Sequence, residues 1–175
     1  MRKKTLFLLI ICLICSCDLL DMEDAESGLK FDQELFDKNR ELWNDHDYSA
    51  YCFTQKFSSD FTGPQPRIKV TVANEKLETL EIVDDAAYSD EDIYNYDLKY
   101  FETITELYEY IEGVVADCKR NIDSDDRNSM TGAEIKIEYD LKYNFPVEVR
   151  CVGYYKESVD GGLSISISIN DFEVY

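Results

Sequence analysis

The residue with the most definite chemistry in this chain is Cys17. It closes the run Ile14-Cys15-Ser16-Cys17, after a positive head of Arg2, Lys3 and Lys4 and an unbroken apolar stretch from Leu6 to Ile14. A bacterial lipobox places an aliphatic residue three positions before the cysteine and a small one just before it; Ile14 and Ser16 fill those places. The apolar run is shorter than the about 20 residues a membrane-spanning helix needs. A charged head, a short apolar core and a small-residue exit instead describe a removable signal. The expected processing is cleavage after Ser16 and diacylation of Cys17 with palmitate-type chains, since two acyl chains anchor stably where one binds marginally. Cys15 is a poorer acceptor because bulky Ile14 precedes it. The plainer reading is an ordinary secretory signal with a chance cysteine at its end.

Other reactive side chains are few. His46 is the chain's one histidine. A Ser-His-Asp arrangement needs it beside a nucleophile, but it stands among Asn44, Asp45 and Asp47 with no serine or cysteine hydrolase motif in the chain. It reads as a solvated helix-end residue. With Cys17 acylated, Cys52, Cys118 and Cys151 remain, an odd number. They could form one disulfide plus a free thiol in an oxidising envelope. Each also falls in an apolar-patterned segment, where cysteine behaves as a small hydrophobe, and three buried thiols is the preferred reading. Their spacing offers no zinc motif. Asp123, Asp125 and Glu134 match positions 1, 3 and 12 of an EF-hand loop. Arg127 at position 5, Asn128 at position 6 and a following strand pattern favour a solvated loop. No metal and no cofactor is expected.

Asp84-Asp85 and Asp90-Glu91-Asp92 alternate with Tyr88, Tyr94, Tyr96, Tyr100 and Phe101. Aromatic rings with polar tips suit protein recognition, so Tyr88, Tyr94 and Tyr96 are candidate binding residues. The alternative is that these rings cover a sheet edge. Among 37 Asp and Glu, no spacing singles out a pair for acid–base work.

Removing residues 1–16 takes away three basic residues and no acid, so the net charge moves from −19 to −22. That surface repels nucleic acid and anionic headgroups. Residues 17–29 are acidic and read as a tether, because one-sign charge blocks stay solvated. Residues 30–175 have the length of one domain with a core, and 13 Tyr and 9 Phe argue against disorder.

The elements that must position these residues follow from periodicity. A first helix over 31–45 places Phe31, Leu35, Leu42 and Trp43 on one face, with Asp32 as its cap. Strands are expected over 48–57, 67–73 and 77–83, with Tyr51, Phe53 and Phe57 in one phase. Thr103 and Glu106 form a capping box, opening a helix with Leu107, Ile111, Val114, Val115 and Cys118 along one stripe. Three more strands follow, with a bulge near Asn170-Asp171, where the apolar phase slips from Ile169 to Phe172. The expected fold is α+β, in the order α-βββ-α-βββ. Two helix–meander units join into an antiparallel sheet of about six strands, with both helices on one face.

Leu42-Trp43 before Asp47-Tyr48-x-x-Tyr51, Val70-x-Val72 with its turn, Thr103 to Leu107, and Tyr139-Asp140 to Phe145-Pro146 carry a family resemblance. The chain resembles a family of small bacterial lipoproteins and secreted proteins known as domain of unknown function 6174, over about Leu42 to Val174. Phe145 stands where members often carry glycine. Only Cys52 lies where members often carry several cysteines, so no family disulfide transfers. The resemblance implies a lipoprotein with no catalytic residues to map. The resulting expectation is a non-catalytic binding module in the bacterial cell envelope, lipid-anchored to a membrane through Cys17, that meets another envelope protein and no nucleic acid. A small carboxylate-based hydrolase and a structural spacer without ligand are the alternatives.

Overall fold

The computed structural model describes residues 28–83, 98–126, 129–155 and 162–175. In chain order the elements are β1 (Gly28–Lys30), α1 (Gln33–Asn44), β2 (Ala50–Ser59), β3 (Gly63–Pro64), β4 (Arg67–Ala73), β5 (Lys76–Val83), α2 (Ile104–Ile122), β6 (Met130–Tyr139), β7 (Pro146–Tyr155) and β8 (Ser164–Val174). Among the described residues, seven strands run in the order β1-β6-β7-β8-β2-β4-β5, and β3 pairs off β2. The leader, Cys17, and Tyr88, Tyr94 and Tyr96 lie outside the described residues.

Two meanders are present, β2-β4-β5 and β6-β7-β8, and they join where β8 lies antiparallel to β2. The expected six strands become eight, and the order gains β1 and β3. β1 spans three residues and β3 two, too short to show any period. β1 is also parallel to β6, with Leu29 opposite Ala133, so the sheet is mostly rather than wholly antiparallel. This pairing takes Gly28 and Leu29, read as tether, into the sheet.

β2 is central because both its phases are apolar or small. Tyr51, Phe53 and Phe57 face the helices, and Cys52 and Thr54 are buried on the other side. Val72 and Val70 of β4 stand opposite Tyr51 and Phe53, Ile167 of β8 opposite Phe57, and Ile68 and Ile169 flank Gln55 between them. The bulge occurs as expected. Thr54 pairs with Asn170 and Cys52 with Glu173, leaving Asp171 and Phe172 across from Phe53, with Asp171 left-handed at φ 52°. It turns Phe172 onto the ring of Phe145, 4.4 Å away.

α1 starts where Asp32 accepts a hydrogen bond from the Leu35 N–H at 2.9 Å. Its buried stripe is Phe36, Asn39 and Trp43. Leu35 and Leu42 are 42% and 37% exposed, which corrects the expected face. Each sits one residue, about 100° of helix, away from the stripe. Phe36 instead packs edge-on against Tyr108 at 5.5 Å. Asn39 is tolerated because its side-chain N–H donates to the Leu35 carbonyl.

α2 opens with the capping box. The Thr103 hydroxyl accepts from the Glu106 N–H at 3.1 Å, and the Glu106 carboxylate accepts from the Glu102 N–H at 2.7 Å. Leu107, Ile111, Val115 and Cys118 are buried, joined by Ile104 and Tyr108. Two glutamines fix where this helix begins. Gln55, 2% exposed, donates to the Phe101 carbonyl at 2.9 Å and accepts from the Phe101 N–H at 3.0 Å. Gln65 accepts from the Lys99 N–H at 2.8 Å. Their amides act as a substitute strand for the chain entering α2. Among the described residues, no helix is long and apolar enough to cross a membrane.

Candidate functional site: an aromatic cleft at the start of α2

The end of α1, the β4–β5 turn and the first turn of α2 meet at one end of the molecule. Between them lies a cleft of about 340 Å³, lined by residues that include Trp43, His46, Tyr48, Glu75, Thr103 and Thr105. Each element delivers its part for a local reason. α1 ends at Asn44, where poor helix formers follow, so His46 and Tyr48 project from the exit loop. β4 and β5 are joined by a two-residue turn in which Asn74 and Glu75 are left-handed, with φ of 52° and 60°. That conformation matches the sheet twist and presents Glu75 at the rim.

The inner wall is aromatic. Trp43 is buried, with its ring edge-on to Tyr51 at 5.6 Å, Phe172 at 6.0 Å and Phe145 at 6.2 Å. Its indole N–H points to the Thr105 hydroxyl at 3.4 Å. Tyr51 also lines the cleft, and its oxygen accepts from the Ile104 N–H at 3.3 Å. That bond uses a free donor of the α2 N terminus and leaves the phenol its own proton to donate. Burial pushes the Tyr51 phenol up to about 12, so it is neutral at physiological pH.

His46 is exposed, stacked on Tyr48 at 4.7 Å, with the Asn144 side-chain nitrogen 3.5 Å from its Nε2. Among the described residues, no serine or cysteine lines this cleft. The arrangement supplies flat apolar contact, hydroxyl donors and one carboxylate. It can hold a small group with an apolar body and polar edge. Among the described residues, no hydroxyl or thiol is hydrogen-bonded to His46 as a nucleophile is to its base.

The other sequence candidates are dispersed. Phe101 is buried, its ring 5.1 Å from Tyr110, so it belongs to the core rather than to a recognition loop. Asp123 caps the end of α2, and Glu134 lies in β6 and pairs with Lys136 at 2.9 Å. Among the described residues, no three His, Cys, Asp or Glu converge as a metal site. Cys52, Cys118 and Cys151 are free and buried, as preferred from the sequence. The cleft residues Glu75, Thr103 and Thr105 carried no functional signal in the sequence. Thr103 was legible only as a cap. The one hint was a lone histidine between the only tryptophan and a tyrosine pair.

No curated protein and no solved structure matches this chain. The chain belongs to the family of unknown function DUF6174, whose model matches residues 35–174.

Proposed function

We propose that this protein is a bacterial envelope lipoprotein, held to a membrane through acylated Cys17, that acts as a non-catalytic binding module. The leader motif supports the anchor. The observation that carries the binding reading is the cleft: an aromatic wall, two threonine hydroxyls, the Tyr51 phenol and the Glu75 carboxylate around one space. With a mature charge of −22, the domain favours a neutral or cationic group from another envelope protein and disfavours nucleic acid. The short acidic tether that begins at Cys17 holds the domain close to the membrane surface.

The test is capture from detergent-solubilised envelope with the full-length protein and with Thr105→Phe, which fills the cleft beside Trp43. One stoichiometric partner is expected with the native protein, lost in Thr105→Phe at unchanged melting temperature. A clean lane with both proteins contradicts the reading and favours a spacer. Hydrolysis of a supplied ester or glycoside that survives in Thr105→Phe contradicts it in favour of an enzyme.

A further inference from the structure

Only part of the outer edge of β6 is used. β1 covers it from Gly132 to Glu134, and the chain then leaves through Phe31 and Asp32 to start α1. From Ile135 to Tyr139, β6 pairs with β7 on its inner side. Among the described residues, no strand lies on its outer side there. Such an edge presents backbone N–H and C=O groups that another strand can take up. Its side chains alternate between the two faces of the sheet. Lys136 and Glu138 are exposed on the open face, and Ile137 and Tyr139 are half-buried on the helix face. On that face Leu35 of α1, 42% exposed, and Phe31 join them around a shallow cleft. Lys136 is held by Glu134 at 2.9 Å. Glu138 has no cation paired with it among the described residues. Its register partner on β7 is Glu148, a like charge whose own partner is Arg150. Like charges directly opposite each other destabilise a sheet.

We propose that this edge is an interface between two copies of the chain. A single lysine on an edge blunts it against strands in general. A lysine and a glutamate two residues apart make the edge complementary to itself. When the stretch from Ile135 to Tyr139 is laid antiparallel on its own copy, the two-fold axis falls at the middle residue, Ile137. Lys136 of each copy then stands opposite Glu138 of its partner. Each glutamate that faces Glu148 gains a lysine, and the open backbone groups of both edges pair. Ile135 stands opposite Tyr139 of the partner on the apolar face, where Leu35 is left uncovered. The chain carries a net charge of −19, but at physiological salt charges farther apart than about 8 Å are largely screened. The seam therefore sets the register. It is narrow, so the dimer is a weak one.

Sedimentation of the full-length chain in detergent at physiological salt, at concentrations up to about 1 mM, tests the pairing. A monomer–dimer equilibrium is expected. Lys136→Glu and Glu138→Lys each set like charges opposite each other, twice per dimer, and each should weaken the dimer about tenfold. The variant carrying both changes restores opposite charges and should recover the dimer. All three should keep native circular dichroism, because both side chains are exposed. Ile137→Cys tests the register separately. Mild oxidation should link two copies through position 137, mapped by mass spectrometry, whereas Glu134→Cys, away from the axis, should give no link through position 134. A native chain that stays monomeric throughout overturns the proposal. So does a dimer indifferent to the single reversals, a double variant that fails to recover, or a link through position 134 in place of 137.

Discussion

Replacing Gln55 with Leu tests how the cleft is held in place. Gln55 sits in the apolar phase of β2, between Phe53 and Phe57, and both ends of its amide are used by Phe101. Leucine fills similar volume and leaves the N–H and C=O of Phe101 buried without partners. An orphaned buried polar group costs about 1–3 kcal/mol. Two of them, less the gain from burying an aliphatic side chain, give a net loss of about 3 kcal/mol. For a chain of this size that is a fall in melting temperature of roughly 10 °C. The effect should also be local. Phe101 lies three residues before the start of α2, so its amide should exchange about 30-fold faster when opening becomes about 2 kcal/mol cheaper. Circular dichroism melting and amide hydrogen exchange read the two effects. A Gln55→Leu protein with native melting temperature and a protected Phe101 amide would refute the claim that this side chain fixes the entry to α2.

Glu75→Gly should stabilise the fold by about 1 kcal/mol, because glycine adopts the left-handed conformation that glutamate adopts at a cost; a lowered denaturation midpoint contradicts this. Asp32→Ala should cost about 1 kcal/mol by freeing the Leu35 N–H at the start of α1, read as a lower urea midpoint with unchanged slope. Stability should also fall at high pH. Burial raises the Tyr51 pKa from 10.0 to about 12, so the folded state favours the neutral phenol. That contribution is fully present below pH 10 and is lost as pH rises through 12. Guanidinium midpoints that stay flat from pH 10 to pH 12 would contradict it.

The two helix–meander units were legible because their strands alternate cleanly, as Ile68, Val70 and Val72 do, and because Thr103 and Glu106 announce a helix start. The slip from Ile169 to Phe172 was enough to locate a bulge. On α1 the sequence pointed correctly to Trp43 but not to Leu35 and Leu42, which look like a stripe; Phe36, with more area to bury, took the core beside Trp43. Gln55 was legible in principle: a polar residue in an aromatic phase implies a buried partner. The partner, Phe101, lies 46 positions away, and no local pattern encodes that distance. The same holds for the cleft, where Glu75 and Thr105 meet only because β5 and α2 are placed by the whole sheet.

The proposed attachment of this acidic domain to a bacterial membrane through acylated Cys17 is open to intact mass spectrometry of the protein purified from its native envelope. The expected result is a polypeptide beginning at Cys17 with its leader removed and fatty acyl mass added. A chain that keeps Met1 to Ser16, or one that begins after a cleavage without acyl mass, would contradict it.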